Sequence, residues 1–210
     1  MMQNKLIFGL MGGSGCGKTS VGEMFIGLGA EIIDCDLISR SIMKKESPCL
    51  AEVCNTFGNN IIDKNGELKR RVLGDIVFSD KKKLAVLNKI THKYIYNEVV
   101  SRIEKSVCDF IGIDGAVLIG SGVDTLCECM ISVVSDKEIR LNRIITRDNI
   151  TEKQALERIN SQKSNNFYIE NSDYVIYNNS TKKKLEIRVR EVWGKLVIRS
   201  SEKRKGKTDV

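Results

Sequence analysis

Residues Gly12-Gly-Ser-Gly-Cys-Gly-Lys-Thr fit the spacing G-x-x-x-x-G-K-[ST], with Gly12, Gly17, Lys18 and Thr19 at the defined positions. Glycine suits such a loop because the backbone must curl until successive N–H groups point inward at phosphate oxygens, and a Cβ would obstruct that approach. The helix expected to begin near Lys18 adds its positive N-terminal end. Lys18 is expected to bridge the β- and γ-phosphates of ATP, and the Thr19 hydroxyl to ligate Mg²⁺. Gly13, Ser14, Gly15, Cys16 and Ser20 complete the expected nucleotide contact. Cys16 has two readings: a small tolerated side chain, or a thiolate favoured by nearby N–H groups and therefore reactive.

Asp34 and Asp36 form a second constellation. Period-2 alternation puts both on one side of an extended chain at the carboxyl end of a sheet, where ligands of open α/β sheets bind. A carboxylate there suits an acceptor hydroxyl, whose high pKa calls for a group to orient it and take its proton. Asp36 as the N-cap of a following helix is the alternative. Arg143 and Arg147, i and i+4 on one helix face, can clamp nucleotide phosphates or form a solvated basic face. Arg158 and Gln162 repeat that spacing. Asp114, ending the apolar run Phe110 to Ile113, suits water-mediated Mg²⁺ or an ordinary turn.

The elements that would hold these groups follow from hydrophobic periodicity. Lys5 to Met11 reads as a strand, and Val21, Met24, Phe25 and Leu28 as the apolar face of the next helix. Ala30 to Asp34 is a second strand, so a right-handed βαβ unit is expected. From about 37 to 107 the pattern is helical, with Leu50, Val53 and Phe57 on one segment and Leu84, Leu87, Ile90, Ile95, Val99 and Ile103 on a long one. Strand character returns in Val107 to Ile119, Met130 to Val134 and Tyr174 to Tyr177. Arg-rich helices at about 140–165, the second opened by a Thr151/Gln154 capping box, are expected to serve as a lid. A closing helix runs from Lys182 to about Ile198. The low hydrophobicity of residues 199–210 predicts a disordered basic tail.

The chain of 210 residues is 41% hydrophobic and 29% charged, a globular composition suited to one domain over residues 1–198. The net charge of +7 suits nucleic acid or a polyphosphorylated small molecule equally. No aromatic-rich RNA-binding signature accompanies it, so no nucleic-acid partner is expected. The absence of a long apolar run, and an N-terminal Met-Met-Gln-Asn-Lys without a cleavage region, predict a soluble cytoplasmic protein with no membrane partner. Seven cysteines without C-x-x-C spacing argue against a disulfide framework and a zinc site. Nothing in the sequence specifies an oligomeric state.

Gly9-Leu-Met-Gly-Gly-Ser-Gly-Cys-Gly-Lys-Thr, followed by Gly29-Ala-Glu-Ile-Ile-Asp-Cys-Asp-Leu-Ile-Ser-Arg, resembles the loop and D-x-D of the dephospho-CoA kinase family. Phe57-Gly, Asp63 to Gly66, Phe78, His92, Arg143, Arg147-Asp148, Arg158, Gln162 and Asp173-Tyr-Val-Ile-Tyr-Asn-Asn resemble later landmarks in order and spacing, over about residues 5 to 198. The resemblance implies an α/β P-loop NTPase three-layer fold with a parallel five-stranded sheet, a helical substrate-binding insertion and a lid. It implies transfer of the ATP γ-phosphate to the ribose 3′-hydroxyl of dephospho-CoA, the last step of CoA synthesis. Asp36 inherits the role of base, Asp34 a supporting one, Arg143 and Arg147 that of lid cations, and His92 and Arg158 substrate contacts. Two departures are Lys93, where the family usually carries proline, and Gly120, where it commonly carries glutamate. Another small-acceptor P-loop kinase and a non-catalytic nucleotide-binding or nucleic-acid-binding protein are the alternative readings.

Overall fold

Residues 5–115 and 118–205 are described by the computed structural model of the chain. Residues 1–4, Ala116 and Val117 of the expected apolar run, and residues 206–210 of the expected tail lie outside that range. Strand β1 (Leu6–Met11) leads through the glycine loop into helix α1 (Lys18–Gly27) and back to β2 (Ala30–Asp34), the expected βαβ unit. The chain then passes through α2 (Cys35–Ser41), α3 (Pro48–Phe57), α4 (Arg70–Phe78) and α5 (Lys81–Lys105) before β3 (Phe110–Asp114). After β4 (Cys129–Val134) come α6 (Lys137–Asp148), α7 (Glu152–Asn160) and α8 (Asn165–Glu170), then β5 (Tyr174–Tyr177) and α9 (Lys182–Lys205). The strands form one sheet in the order β2-β3-β1-β4-β5, with every neighbouring pair parallel.

Alternation along β1 decides what each face buries. Leu6, Phe8 and Leu10 pack with Phe25 of α1 and with Leu185, Val189 and Leu196 of α9. Ile7 and Met11 point the other way, toward Ile38 of α2, Val99 and Ile103 of α5, and Tyr168 of α8. Three layers result, with the central strand covered on both faces, as a parallel sheet requires. A separate apolar cluster holds the segment between α2 and α5, built from Met43, Leu50, Val53, Ile61, Leu73, Val77 and Ile90. The 25-residue α5, about 37 Å long at 1.5 Å per residue, ties that cluster to the sheet by burying Ile90 in one and Val99 and Ile103 in the other.

Local chemistry sets the helix boundaries. Pro48 sits in the first turn of α3, where its missing N–H is no loss, and the Ser47 hydroxyl accepts from Leu50 N–H at 3.1 Å. The expected capping box opens α7: Thr151 Oγ1 accepts from Gln154 N–H at 3.3 Å, and Gln154 Oε1 from Thr151 N–H at 3.0 Å.

Two expectations change. The apolar run does not extend β3 back to Val107, which is 97% exposed; pairing begins at Phe110, opposite Leu6. The closing helix does not stop at Ile198 but continues to Lys205, so residues 199–205 are helical. Acidic residues at the starts of the strands explain this. Lys203 Nζ reaches Glu128 at 2.6 Å and the Lys5 carbonyl at 2.9 Å, Arg204 pairs with Asp109 at 2.8 Å, and Arg199 lies 3.7 Å from Asp173. The basic end of α9 thus binds the amino edge of the sheet, away from the glycine loop. Among the described residues no helix is long and apolar enough to cross a membrane.

Candidate active site

Residues 12–17 lie between α1 and the carboxyl end of β1, the central strand, which has β3 on one side and β4 on the other. Three backbone carbonyls of the loop are tied to side chains behind it. Arg140 Nε donates to Ser14 O at 2.9 Å, Arg143 to Gly15 O at 3.3 Å, and Asn178 Nδ2 to Cys16 O at 2.9 Å. The N–H groups of Gly15 and Gly17 make no hydrogen bond among the described residues, as an anion cradle requires. Gly15 is needed for a second reason: its φ is +77°, and a Cβ there would sit 2.7 Å from the Arg140 carbonyl.

A cleft of about 800 Å³ opens over this loop, lined by Gly12, Gly13, Ser14, Gly15 and Gly17, by Lys18, Thr19 and Ser20, and by Asp36, Arg143, Arg147 and Gln162. Lys18 contacts the Asp114 carboxylate directly. Burial lowers the Lys18 pKa from the usual lysine value, opposed by Asp36. The adjoining Asp114 charge favours the ammonium form. The Thr19 hydroxyl is exposed in the cleft, an oxygen donor suited to a hard cation.

The two aspartates of D-x-D part ways. Asp34 is the N-cap of α2, its carboxylate accepting from Leu37 N–H at 2.9 Å, so the capping role considered for Asp36 belongs to its neighbour. Asp36 is exposed and makes no hydrogen bond or ion pair to other described residues. It lines the large cleft and also a second cavity of about 130 Å³, shared with Cys35, Ser39, His92, Gly115 and Ser121. Asp36 therefore stands between the phosphate cradle and a pocket that holds the single histidine.

Other expected residues fall differently. Arg158 contacts the Asp148 carboxylate and lines neither cavity. Asp148 is shared with Arg147, 2.7 Å away, and this pair of guanidinium groups lowers its carboxyl to about 2. The exposed salt bridge joins α6 to α7. Cys16 is 1% exposed, its sulfur buried in the core under the loop, and burial raises its pKa. The reactive-thiolate reading is overturned, because desolvation outweighs the nearby N–H groups and cations. Gly120 sits at φ +79° with its N–H donating to Asp124 at 2.8 Å and nothing within 4 Å of where a Cβ would be.

Arg140 and Ser135 are groups that residue-by-residue reading passed over, and they act with Gln162 and Asn178, which the sequence offered only as a spacing and a landmark. Arg143 donates to Ser135 Oγ and to the Asn178 carbonyl, both at 3.1 Å, while Gln162 Oε1 accepts from Ser14 N–H at 2.8 Å and from Arg140 at 3.0 Å. A signal existed for Arg140: it lies three and seven residues before Arg143 and Arg147, on the same helix face.

The profile of the dephospho-CoA kinase family matches residues 6–184. A dephospho-CoA kinase from Fusobacterium nucleatum is 41% identical over 175 residues, covering 83% of this chain and 90% of that protein. A protein from Thermus thermophilus has a similar structure, with a TM-score of 0.79 at 21% identity over 92% of this chain and 98% of that one. A dephospho-CoA kinase from Campylobacter jejuni gives 0.65 at 24% identity, over 90% and 96%.

Proposed function

The chain belongs to the dephospho-CoA kinase family, and we propose that it transfers the γ-phosphoryl group of ATP to the ribose 3′-hydroxyl of dephospho-CoA, giving CoA and ADP. The observation that carries the assignment of roles is the position of Asp36, exposed, without a hydrogen bond or ion pair among the described residues, and lining both the cleft over the glycine loop and the cavity beside His92. ATP phosphates occupy the cradle, with the N–H groups of the loop, Lys18 and the Arg143 and Arg147 guanidinium groups facing them. The acceptor ribose enters from the His92 side. As the 3′-oxygen bonds to the γ-phosphorus, the bond to the β–γ bridging oxygen breaks, ADP carries away that electron pair, and the acceptor proton passes to Asp36.

Lys18, in contact with the Asp114 carboxylate, serves the phosphates and follows the moving charge. The Thr19 hydroxyl and the Asp114 carboxylate would hold Mg²⁺, which would supply charge neutralisation at the phosphate oxygens. The helices α2–α5 serve as the acceptor-binding insertion and α6–α8 as the lid. The protein acts in the cytoplasm on a small molecule, without nucleic acid or membrane as partner. Pairing of Arg199, Lys203 and Arg204 with Asp173, Glu128 and Asp109 supports the absence of a nucleic-acid partner at that end of α9, since it neutralises three of its cations.

The test is ADP release with dephospho-CoA, adenosine, AMP and gluconate offered in parallel. Selective turnover of dephospho-CoA is expected, and selective turnover of another acceptor overturns the assignment.

A further inference from the structure

Arg140 is 4% exposed, yet it makes no ion pair with a described residue. Each of its hydrogen-bond partners is neutral: Ser14 O at 2.9 Å, Gln162 Oε1 at 3.0 Å and, at the limit of hydrogen-bond length, Asn165 Oδ1 at 3.5 Å. A guanidinium stays protonated at any physiological pH, so a full positive charge is buried with dipoles around it and no carboxylate in contact. Such a charge is costly unless something compensates it. It also lies directly behind the phosphate cradle. A Cβ on Gly13 would sit 2.4 Å from an Arg140 terminal nitrogen, and the Ser14 N–H and C=O are both bound to the Arg140–Gln162 pair.

We propose that Arg140 is a positioning residue whose counter-ion is the incoming polyphosphate: it fixes the two peptide groups that flank the Ser14 Cα, one through its own bond to the Ser14 carbonyl and one through Gln162, and projects an uncompensated charge onto the loop. This rests on the nucleotide-site reading above and extends it to a residue that does not itself line the cleft. Arg143 differs in being half-buried and lining the cleft. Low dielectric behind the loop makes the Arg140 charge act at longer range than an exposed lysine would. Because the charge is uncompensated before nucleotide arrives, it burdens the empty protein and favours the loaded one.

Calorimetric titration with inorganic tripolyphosphate, run on the parent, Arg140→Gln and Arg140→Lys together with thermal melts of the unliganded proteins, tests this. Gln keeps donors for Ser14 and Gln162 but removes the charge, whereas Lys keeps the charge and removes the fork. The expected result is tripolyphosphate affinity about tenfold weaker in Arg140→Gln and within threefold of the parent in Arg140→Lys, with unliganded Arg140→Gln melting at or above the parent. The KM for ATP should rise in Arg140→Gln while the KM for dephospho-CoA holds. Loss of affinity below threefold in Arg140→Gln, equal loss in both variants, or an unliganded Arg140→Gln that melts below the parent or fails to fold would each overturn the inference and leave Arg140 a structural brace. The function assignment fails separately: a parent that binds tripolyphosphate but leaves dephospho-CoA unphosphorylated contradicts that assignment without touching this one.

Discussion

The two sides of the site are built by different means. On the nucleotide side, Arg140, Arg143 and Asn178 hold the loop by its carbonyls, so the backbone is set before any ligand arrives. On the proposed acceptor side, an apolar cluster around Leu50, Val53, Leu73 and Ile90 holds the insertion, with cross-links such as Glu52 accepting from Tyr94 at 2.8 Å and Lys93 at 3.1 Å. One half is a loop held by hydrogen bonds from Arg140, Arg143 and Asn178, and the other is a small core carried on the end of α5. Damage to the first should cost chemistry at little cost to folding, and damage to the second should do the reverse.

The largest expected effect is that of Lys18→Ala. Removing a charge that follows the phosphoryl group should lower kcat/KM by at least about 10⁴-fold, or roughly 5.5 kcal/mol, in a protein that melts near the parent. Steady-state ADP release measures it, and activity within about threefold of the parent would break the nucleotide half of the comparison. Asp36→Asn should reduce kcat by about 10² to 10⁴-fold while leaving ATP binding nearly intact, since the amide keeps the shape and loses the proton acceptor. Asp34, not Asp36, caps α2, so a cap effect does not confuse this experiment.

Leu73→Ala sharpens the other half. Leu73 is buried in the insertion cluster, and its truncation should destabilise the protein by about 2 to 5 kcal/mol. Below the melting transition, the KM for ATP should stay within about twofold of the parent, and any kinetic loss should fall on the acceptor. A rise in the ATP constant equal to that for the acceptor would show that the two halves are not separable.

Gly120→Glu should matter less. The left-handed backbone there costs a glutamate about 1 to 2 kcal/mol of stability. The added carboxylate should change kcat/KM by less than about tenfold, or roughly 1.4 kcal/mol. A dead parent rescued by that substitution would mean that a needed carboxylate is missing. Smallest of all is the expected reactivity of four desolvated thiols, three of them buried and Cys127 half-buried. Burial raises Cys16, and raises Cys35, Cys127 and Cys129 to about 12. A pKa raised to 12 leaves about one thiolate in 10⁴ at pH 8 against about one in ten for a thiol at 9, and labelling should accelerate only as pH climbs toward 12. Mass-spectrometric mapping after iodoacetamide treatment at pH 8 should find these four sulfurs unmodified with or without ATP, and rapid labelling of Cys16 that ATP slows would contradict the buried placement.

Much of the nucleotide side was readable in the sequence because its signals are local. The glycine loop specifies its own backbone within eight residues, and Asp34 and Asp36 announce a strand end by their spacing. What escaped was decided by distant partners. Arg140 reads as one more basic residue of an exposed helix until α6 packs against the loop, 126 positions earlier in the chain, and buries it. Residues 199–205 read as disordered from their polarity, yet Asp109, Glu128 and Asp173, separated widely in sequence, gather at the amino edge of the sheet and hold Arg204, Lys203 and Arg199. The loop residues alone left two readings of Cys16 open, and the core formed with β1 and β4 decides between them by burying the sulfur.

The central claim, that Asp36 receives a ribose 3′-hydroxyl from the His92 side while the cradle holds ATP, is tested most directly by offering the parent dephospho-CoA and its 3′-deoxy analogue and following ADP release with mass analysis of the product. The account predicts CoA from the first and no phosphorylated product from the second, although the analogue should still compete with dephospho-CoA for binding. Phosphorylation of the 3′-deoxy compound, or failure to turn over either, would contradict it.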